Sequence, residues 1–265
     1  MRPKAVDAPS GRCYEIQSCV LKGPSLVHIP DGWLSAPVLV ASNALAVGAL
    51  TWSTIRARRE LNESAIPLMG VMGAFVFAAQ MINLPLPGGI SGHLLGGTLL
   101  AIVLGPAVGT LVIASVLLLQ ALLFADGGLL AFGANFLNMG LVGTLGGYLI
   151  YRAVRWLVPG SRGLYLGAGL GAWMATVAGS ALAAVHVGLS GTAPLGAVTV
   201  AAVGFHLAIG AVDAAVTVAV IHYLVRVRPG LFALDTPASL ISSGSAVTPA
   251  PSAGRTMSTD ARVIQ

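Results

Sequence analysis

The sequence predicts an all-α integral membrane protein with about seven transmembrane helices. Three observations lead there. Only 9% of the 265 residues are charged while 56% are hydrophobic, and soluble domains carry about 25% charged residues. The mean hydropathy is +0.87. The charges are also segregated: residues 64–151 hold one formally charged side chain, Asp126, and residues 163–225 again one, Asp213. So few charges cannot form a water-facing shell, and a chain this short cannot enclose two such stretches in a soluble core. A water-soluble enzyme is therefore excluded. Long apolar runs instead of short alternating strands argue against a β-barrel. The net charge of +5 is no nucleic-acid footprint, because the basic residues cluster at the ends of apolar runs. The 34 glycines suit helices that approach closely through small faces.

Residues 1–26 are polar and irregular, and no apolar stretch of signal-peptide type follows Arg2 and Lys4. They read as an N-terminal extension outside the fold, mis-assigned or disordered. Cys13 and Cys19 lie in it; they could pair, bind metal or be plain thiols, and nothing around them suggests a folded module. Residues 27–35 form a loop leading into a helical membrane domain, 36–230. Its apolar segments are expected at about 36–55, 65–84, 91–105, 107–125, 133–152, 164–189 and 198–225. Residues 231–265 turn to Pro, Ser, Thr, Ala and Gly with scattered charges, a composition that cannot bury enough apolar area to order itself. They are expected as a disordered cytoplasmic tail.

Basic residues set the orientation. Arg56, Arg58 and Arg59 follow segment one, Arg152, Arg155 and Arg162 follow segment five, and Arg226 and Arg228 follow segment seven. All three clusters belong on the cytoplasmic side, so the N-terminus is expected outside and the C-terminus inside. Segment three tests this scheme. His93 to Leu104 gives about 18 Å of helix against a hydrocarbon layer of ~30 Å. Deleting this crossing would place Arg152, Arg155 and Arg162 outside, so it is kept as a short crossing, broken from segment four at Gly105-Pro106 and partly covered by protein.

That topology brings His28 and His93 to one membrane face, with Asp126, Asn135 and Asn138 at the nearby ends of segments four and five. Neutral imidazole is the commonest side-chain metal ligand. The run Pro85-Leu-Pro-Gly-Gly-Ile-Ser-Gly-His93-Leu-Leu-Gly-Gly97 allows irregular backbone before a helix. It reads either as a ligand pocket or as a plain interhelical loop. The run His28-Ile-Pro-Asp-Gly-Trp-Leu-Ser35 carries a turn signal and an interfacial Trp33, and reads either as part of that pocket or as a simple lead-in. His206 and Asp213 lie seven residues apart, hence on one side of segment seven. They are expected to form a structural polar pair, through a His–Asp or an Asp–amide contact between helices. His186 and His222 sit near helix ends and are expected at the interfaces.

At these stretches the sequence resembles the CbiM/NikM family, the substrate-binding component of energy-coupling factor importers for cobalt or nickel. The residues that carry the resemblance are 28–35, 88–97, Phe132-Gly-Ala-Asn-Phe-Leu-Asn-Met-Gly140 and His206-Leu-Ala-Ile-Gly-Ala-Val-Asp213. The family tends to have Glu where this chain has Asp213. The resemblance implies a passive subunit in the bacterial plasma membrane that captures Co2+ or Ni2+ at the outer face. The partners it implies are two cytoplasmic ATPases, a transmembrane coupling subunit and often a small accessory membrane protein. No Gly-x-x-x-x-Gly-Lys-Ser/Thr phosphate loop occurs in the chain itself.

The resemblance also implies the ligands: a terminal amine, the amide and imidazole nitrogens of the second residue, and a distant histidine. Carried over, the second residue is His28 and the distant ligand His93. Ser91, Asn135 and Asn138 would then support them. Four nitrogens suit Ni(II), and Co(II) can be held similarly. Val27 precedes His28, and GUG, a valine codon, also serves as a bacterial start read as Met. The functional chain is therefore expected to start at Val27, whose amine would be the fourth donor. Two other readings compete: an intramembrane serine hydrolase of rhomboid type, using Ser91 and His206, and a structural membrane subunit without ligand.

Overall fold

The computed structural model describes residues 28–60, 65–82, 84–85 and 91–228. Among these, seven helices follow in chain order: α1 Ala36–Glu60, α2 Ile66–Met81, α3 Gly97–Leu104, α4 Pro106–Leu123, α5 over 132–157, α6 Gly160–Leu189 and α7 Leu195–Val227. The seven apolar segments thus correspond to seven helices. Val27, Cys13, Cys19, the extension 1–26 and the tail 231–265 lie outside the described residues.

Four helices are long and apolar enough to cross a membrane: Ala36–Arg59 within α1, and α4, α6 and α7; α2 is a shorter apolar helix. Their exposed side chains are those lipid would cover, among them Val40, Leu45 and Val47 on α1 and Leu122 and Leu123 on α4.

Segment three departs most from expectation. Its helix spans only the eight residues of α3, about 12 Å. Ser91–Gly92, expected within the segment, instead pairs antiparallel with Leu84–Pro85 as a two-residue ladder. The departure has a backbone cause. Gly96 caps α3 at φ 68° and Gly105 ends it at φ 84°, both left-handed. Leu99, Leu100 and Ala101 are buried, so α3 is enclosed by protein. Only glycine fits its neighbours: a Cβ on Gly109 of α4 would stand 2.9 Å from the Leu100 carbonyl carbon, and one on Gly97 2.8 Å from that of Gly143.

Helix α5 is composite. Phe132–Asn135 and Gly147–Leu157 are α-helical, while Phe136–Gly146 is wound as a π-helix. Helix α6 packs against it through a stripe of small residues, Gly163, Gly167, Gly171, Ala175, Gly179 and Ala183, all buried. Such a face lets backbones approach: a Cβ on Gly171 would meet the Gly147 carbonyl oxygen at 2.6 Å. Both helices run past their expected bounds. α5 carries Arg152 and Arg155 within it, and Arg162 lies in the first turn of α6.

The two ends of the bundle differ. At one, Tyr165 of α6 meets His222 of α7, with the His222 Nδ1 3.2 Å from the Tyr165 hydroxyl. At the other, the segment 28–35 folds over the loops between helices. Ile29 and Leu34 pack with Ala131, Ala134, Ala183, Ala184, Val187, Val198 and Ala202, and the Thr192 hydroxyl donates to the Trp33 carbonyl.

Candidate functional site

The segment 28–35 enters the bundle because its polar groups find specific partners there. Asp31, in the Pro-Asp-Gly turn, accepts the backbone N–H groups of Leu129, Leu130 and Ala131 at 3.0, 2.8 and 3.0 Å. These are amides just ahead of α5, where donors otherwise lack partners. One turn further, Asn135 bonds both backbone groups of Ile29, and Gly128 donates to the Ile29 carbonyl at 2.9 Å. Asn43 of α1 ties in the same loop, donating to the Leu130 carbonyl and accepting from Gly133. His28 is thereby carried inward until it is 2% exposed.

His93 arrives from the other side, on the coil between β2 (Ser91–Gly92) and α3, and is 1% exposed. Below it, Gln80 of α2 donates to the Leu95 carbonyl at 2.6 Å and accepts from Gln120 of α4 at 2.9 Å. Asp213 of α7 accepts from Thr176 of α6 at 2.9 Å and from the Gly96 amide at 3.4 Å. The coil that bears His93 is therefore pinned to α2, α4, α6 and α7 at once.

The two imidazoles meet: their ring centroids lie 4.5 Å apart, tilted by 47°. The Nδ1 of His28 stands 2.6 Å from Oδ1 of Asp126, which is 29% exposed. His93 directs Nδ1 to the Leu94 carbonyl at 3.2 Å. His206 of α7 directs Nδ1 to the Ala202 carbonyl at 2.7 Å. An oxygen of either kind only accepts, so each Nδ1 carries the proton. The Nε2 atoms of His28, His93 and His206 are buried without a hydrogen-bond partner, as are both side-chain polar atoms of Asn138 in the π-helical turn; the Nδ1 of His28 meets Asp126 in a close ionic contact and not in an aligned hydrogen bond. Buried polar atoms left unpaired cost about 1–3 kcal/mol each. His28 and His93 bring such atoms into one buried, tilted pair of rings. A histidine whose Nδ1–H is held by an oxygen presents Nε2 as a lone-pair donor, the state of a metal-ready imidazole.

Asp126 follows α4 in the loop before α5. Burial works against its charge, but the close contact with His28 outweighs it, and its carboxyl is held below the usual carboxylate range.

Among the described residues no three His, Cys, Asp or Glu side chains converge as a ready-made cage for an ion. His28, His93, Asn135 and Asn138 are brought to one end of the bundle. The Ser91 side chain is not among the described ones. His206 and Asp213 do not pair: each has its own partners, because two turns of helix separate their side chains. His206 is held by its own helix at the Ala202 carbonyl, and Asp213 belongs with the Gly96 turn. Sequence reasoning missed Asp31, Asn43, Gln80 and Gln120 as organising residues. Their one signal was a polar side chain at the end of an apolar run.

Residues 28–231 match the family model described as cobalt uptake substrate-specific transmembrane region. A fused nickel transport protein, NikMN, of Rhodobacter capsulatus is 37% identical over 222 residues, covering 78% of this chain and 64% of its own length. A cobalt transport protein, CbiM, of Geobacter sulfurreducens is 33% identical over 232 residues, covering 82% of this chain and 65% of its own. The chain thus spans about two thirds of the length of these two relatives. A solved structure of a truncated transition metal transporter superimposes with a TM-score of 0.69 at 33% identity, covering 75% of this chain and 98% of that one. With more than three quarters of its residues matched, the chain belongs to the CbiM family of cobalt uptake transmembrane proteins.

Proposed function

We propose that the protein is the metal-binding membrane subunit of an energy-coupling factor importer, taking Co2+ or Ni2+ at the outer face of a bacterial plasma membrane. The observation that carries this reading is the stacked pair His28 and His93. Two imidazoles from segments 65 residues apart are buried together, the Nε2 of His93 unpaired and the Nδ1 of His28 faced by the carboxylate of Asp126. Burying two such groups destabilises the fold unless a ligand uses them, and nitrogen donors suit late first-row divalent ions.

In this reading the ion is held by the His93 imidazole, by the imidazole and backbone amide nitrogen of His28, and by the terminal amine of Val27 when the functional chain starts there. Asn135 fixes the segment that bears His28, and Asn138 lines the pocket. Ser91 sits on the two-residue ladder leading to His93. The N-terminal end of the bundle faces outward, and the end carrying the Arg clusters faces the cytoplasm. The ion is cargo, and the chain carries no catalytic step of its own; ATP hydrolysis belongs to two cytoplasmic ATPase partners, coupled through a transmembrane subunit with or without a small accessory membrane protein.

Isothermal titration of the purified protein with Ni(II) and Co(II) tests the reading. Saturable binding of one ion per chain is expected. Absence of binding for both ions would favour a structural subunit without ligand.

A further inference from the structure

The carboxylate of Asp126 stands where the proposed chelate needs an open nitrogen. A backbone amide and the imidazole of the same histidine can share one ion only through Nδ1. The path N–Cα–Cβ–Cγ–Nδ1 closes a six-membered ring with the metal, whereas Nε2 lies on the far side of the imidazole and cannot reach back. In this structure Nδ1 of His28 is occupied, 2.6 Å from Oδ1 of Asp126. His93 has no such conflict, because its Nδ1 is satisfied by the Leu94 carbonyl and its Nε2 is open.

We propose that Asp126 is an exchangeable cap on the metal site, facing His28 Nδ1–H in the metal-free protein; as the incoming ion takes that nitrogen, the Nδ1 proton passes to the Asp126 carboxylate and on to solvent, and the His28 amide proton is released to solvent. The proposal rests on the reading that His28 binds through its own amide and ring.

Three features suit Asp126 to leaving. It lies on a loop rather than a helix, and its carboxylate is 29% exposed, in contact with water while His28 and His93 are not. The loop is strained on either side of it: Ala125 adopts φ 52°, left-handed and unfavourable for a residue with a Cβ, and Gly127 adopts φ 94°. Finally, the segment bearing His28 does not depend on the contact. Asn135 and Gly128 hold Ile29, and three amides ahead of α5 hold Asp31. When the cap swings out, the ligand-bearing segment stays. The Asp126 backbone N–H remains anchored on the Gln120 carbonyl at 3.2 Å, which limits the motion to the side chain and the turn 125–128. Capping also gives the buried imidazole a partner while no ion is present, offsetting part of the cost of an unpaired group.

The sign of the effect separates a cap from a supporting residue. A carboxylate that orients a metal-bound histidine loses about 10–100-fold in affinity when removed. A cap competes with the ion, so its removal tightens binding, by about tenfold if the contact is worth one charge-assisted hydrogen bond. The experiment is titration of Ni(II) into wild type, Asp126→Ala and Asp126→Asn in detergent, with amide hydrogen exchange across 124–131 measured with and without Ni(II). We expect Asp126→Ala to bind more tightly, Asp126→Asn to fall between it and wild type, and Ni(II) to increase exchange at 125–128 in wild type while 129–131 stay protected. Weaker binding in both variants, or a turn 125–128 that becomes more protected with Ni(II), overturns the cap. If wild type and both variants fail to bind Ni(II) while their thermal unfolding stays cooperative, the metal-site reading beneath it fails instead.

Discussion

Asn135 holds Ile29 from both sides. Its Oδ1 accepts the Ile29 N–H at 2.8 Å and its Nδ2 donates to the Ile29 carbonyl at 2.9 Å. One amide side chain thus substitutes for a neighbouring strand, fixing the residue next to His28 in position and in rotation. Both groups are buried, so no water can take over either bond.

Replacing Asn135 by Ala therefore leaves the Ile29 N–H unsatisfied and its carbonyl held by Gly128 alone, which loosens the His28 segment. The expected loss is about 1–3 kcal/mol of stability, with Ni(II) affinity lower by about 10–100-fold. Thermal unfolding and titration in the same detergent measure the two. Asn135→Asp keeps the acceptor but loses the donor to the Ile29 carbonyl, and should fall between Ala and wild type.

His28→Ala and His93→Ala should each abolish measurable Ni(II) and Co(II) binding while the helical circular dichroism stays unchanged, because both residues sit in coil and not in the packed helices. His222→Ala should bind as wild type, since that ring is exposed at the opposite end of the bundle, beside Tyr165. Wild-type affinity in His93→Ala would remove this residue from the site.

Acidification should release the ion well before it disturbs the fold around His28. Protons compete with the ion for every ligand nitrogen, so affinity falls as pH falls. Asp126 behaves oppositely: its folded carboxyl titrates below the ordinary 3.8, so its contribution to stability is fully present above that value. It is lost only as pH falls through the lower, folded value. Titrations from pH 7.5 to 5.5 should show falling affinity with an unchanged unfolding temperature.

Gly171→Leu should destabilise by about 1–3 kcal/mol or more through overpacking. A Cβ there already lies 2.6 Å from the Gly147 carbonyl oxygen, and neither α5 nor α6 can withdraw without opening the stripe between them. Gly204→Ala, where no atom lies within 4 Å of the added carbon, is the matched control and should unfold with wild type.

The proposed orientation is open to cysteine labelling. Single cysteines at Asn62 and Ser245 should react with a membrane-impermeant maleimide only after the cells are opened. Reaction of either in intact cells would reverse the assignment.

Hydropathy and charge spacing by themselves determined the membrane class and the number of helices, and they brought His28 and His93 to one face; the ligand roles came with the resemblance. A long apolar run has one stable outcome in lipid, where backbone groups must pair within the segment. His28 and His93 were legible for a similar reason: each sits beside turn residues at the end of an apolar run. Three things were decided only by tertiary structure. α3 was cut to eight residues because left-handed glycines end it and α4 packs against its backbone. The expected pair of His206 with Asp213 dissolved, because helix periodicity gives a common side but not a contact, and α6, α3 and the helix's own carbonyl supplied nearer partners. Asp126 came to rest on His28, 98 residues away in the chain. No local pattern encodes that contact; it exists because Asp31 and Asn135 bring the two loops together, and contacts between distant loops follow from packing rather than from periodicity.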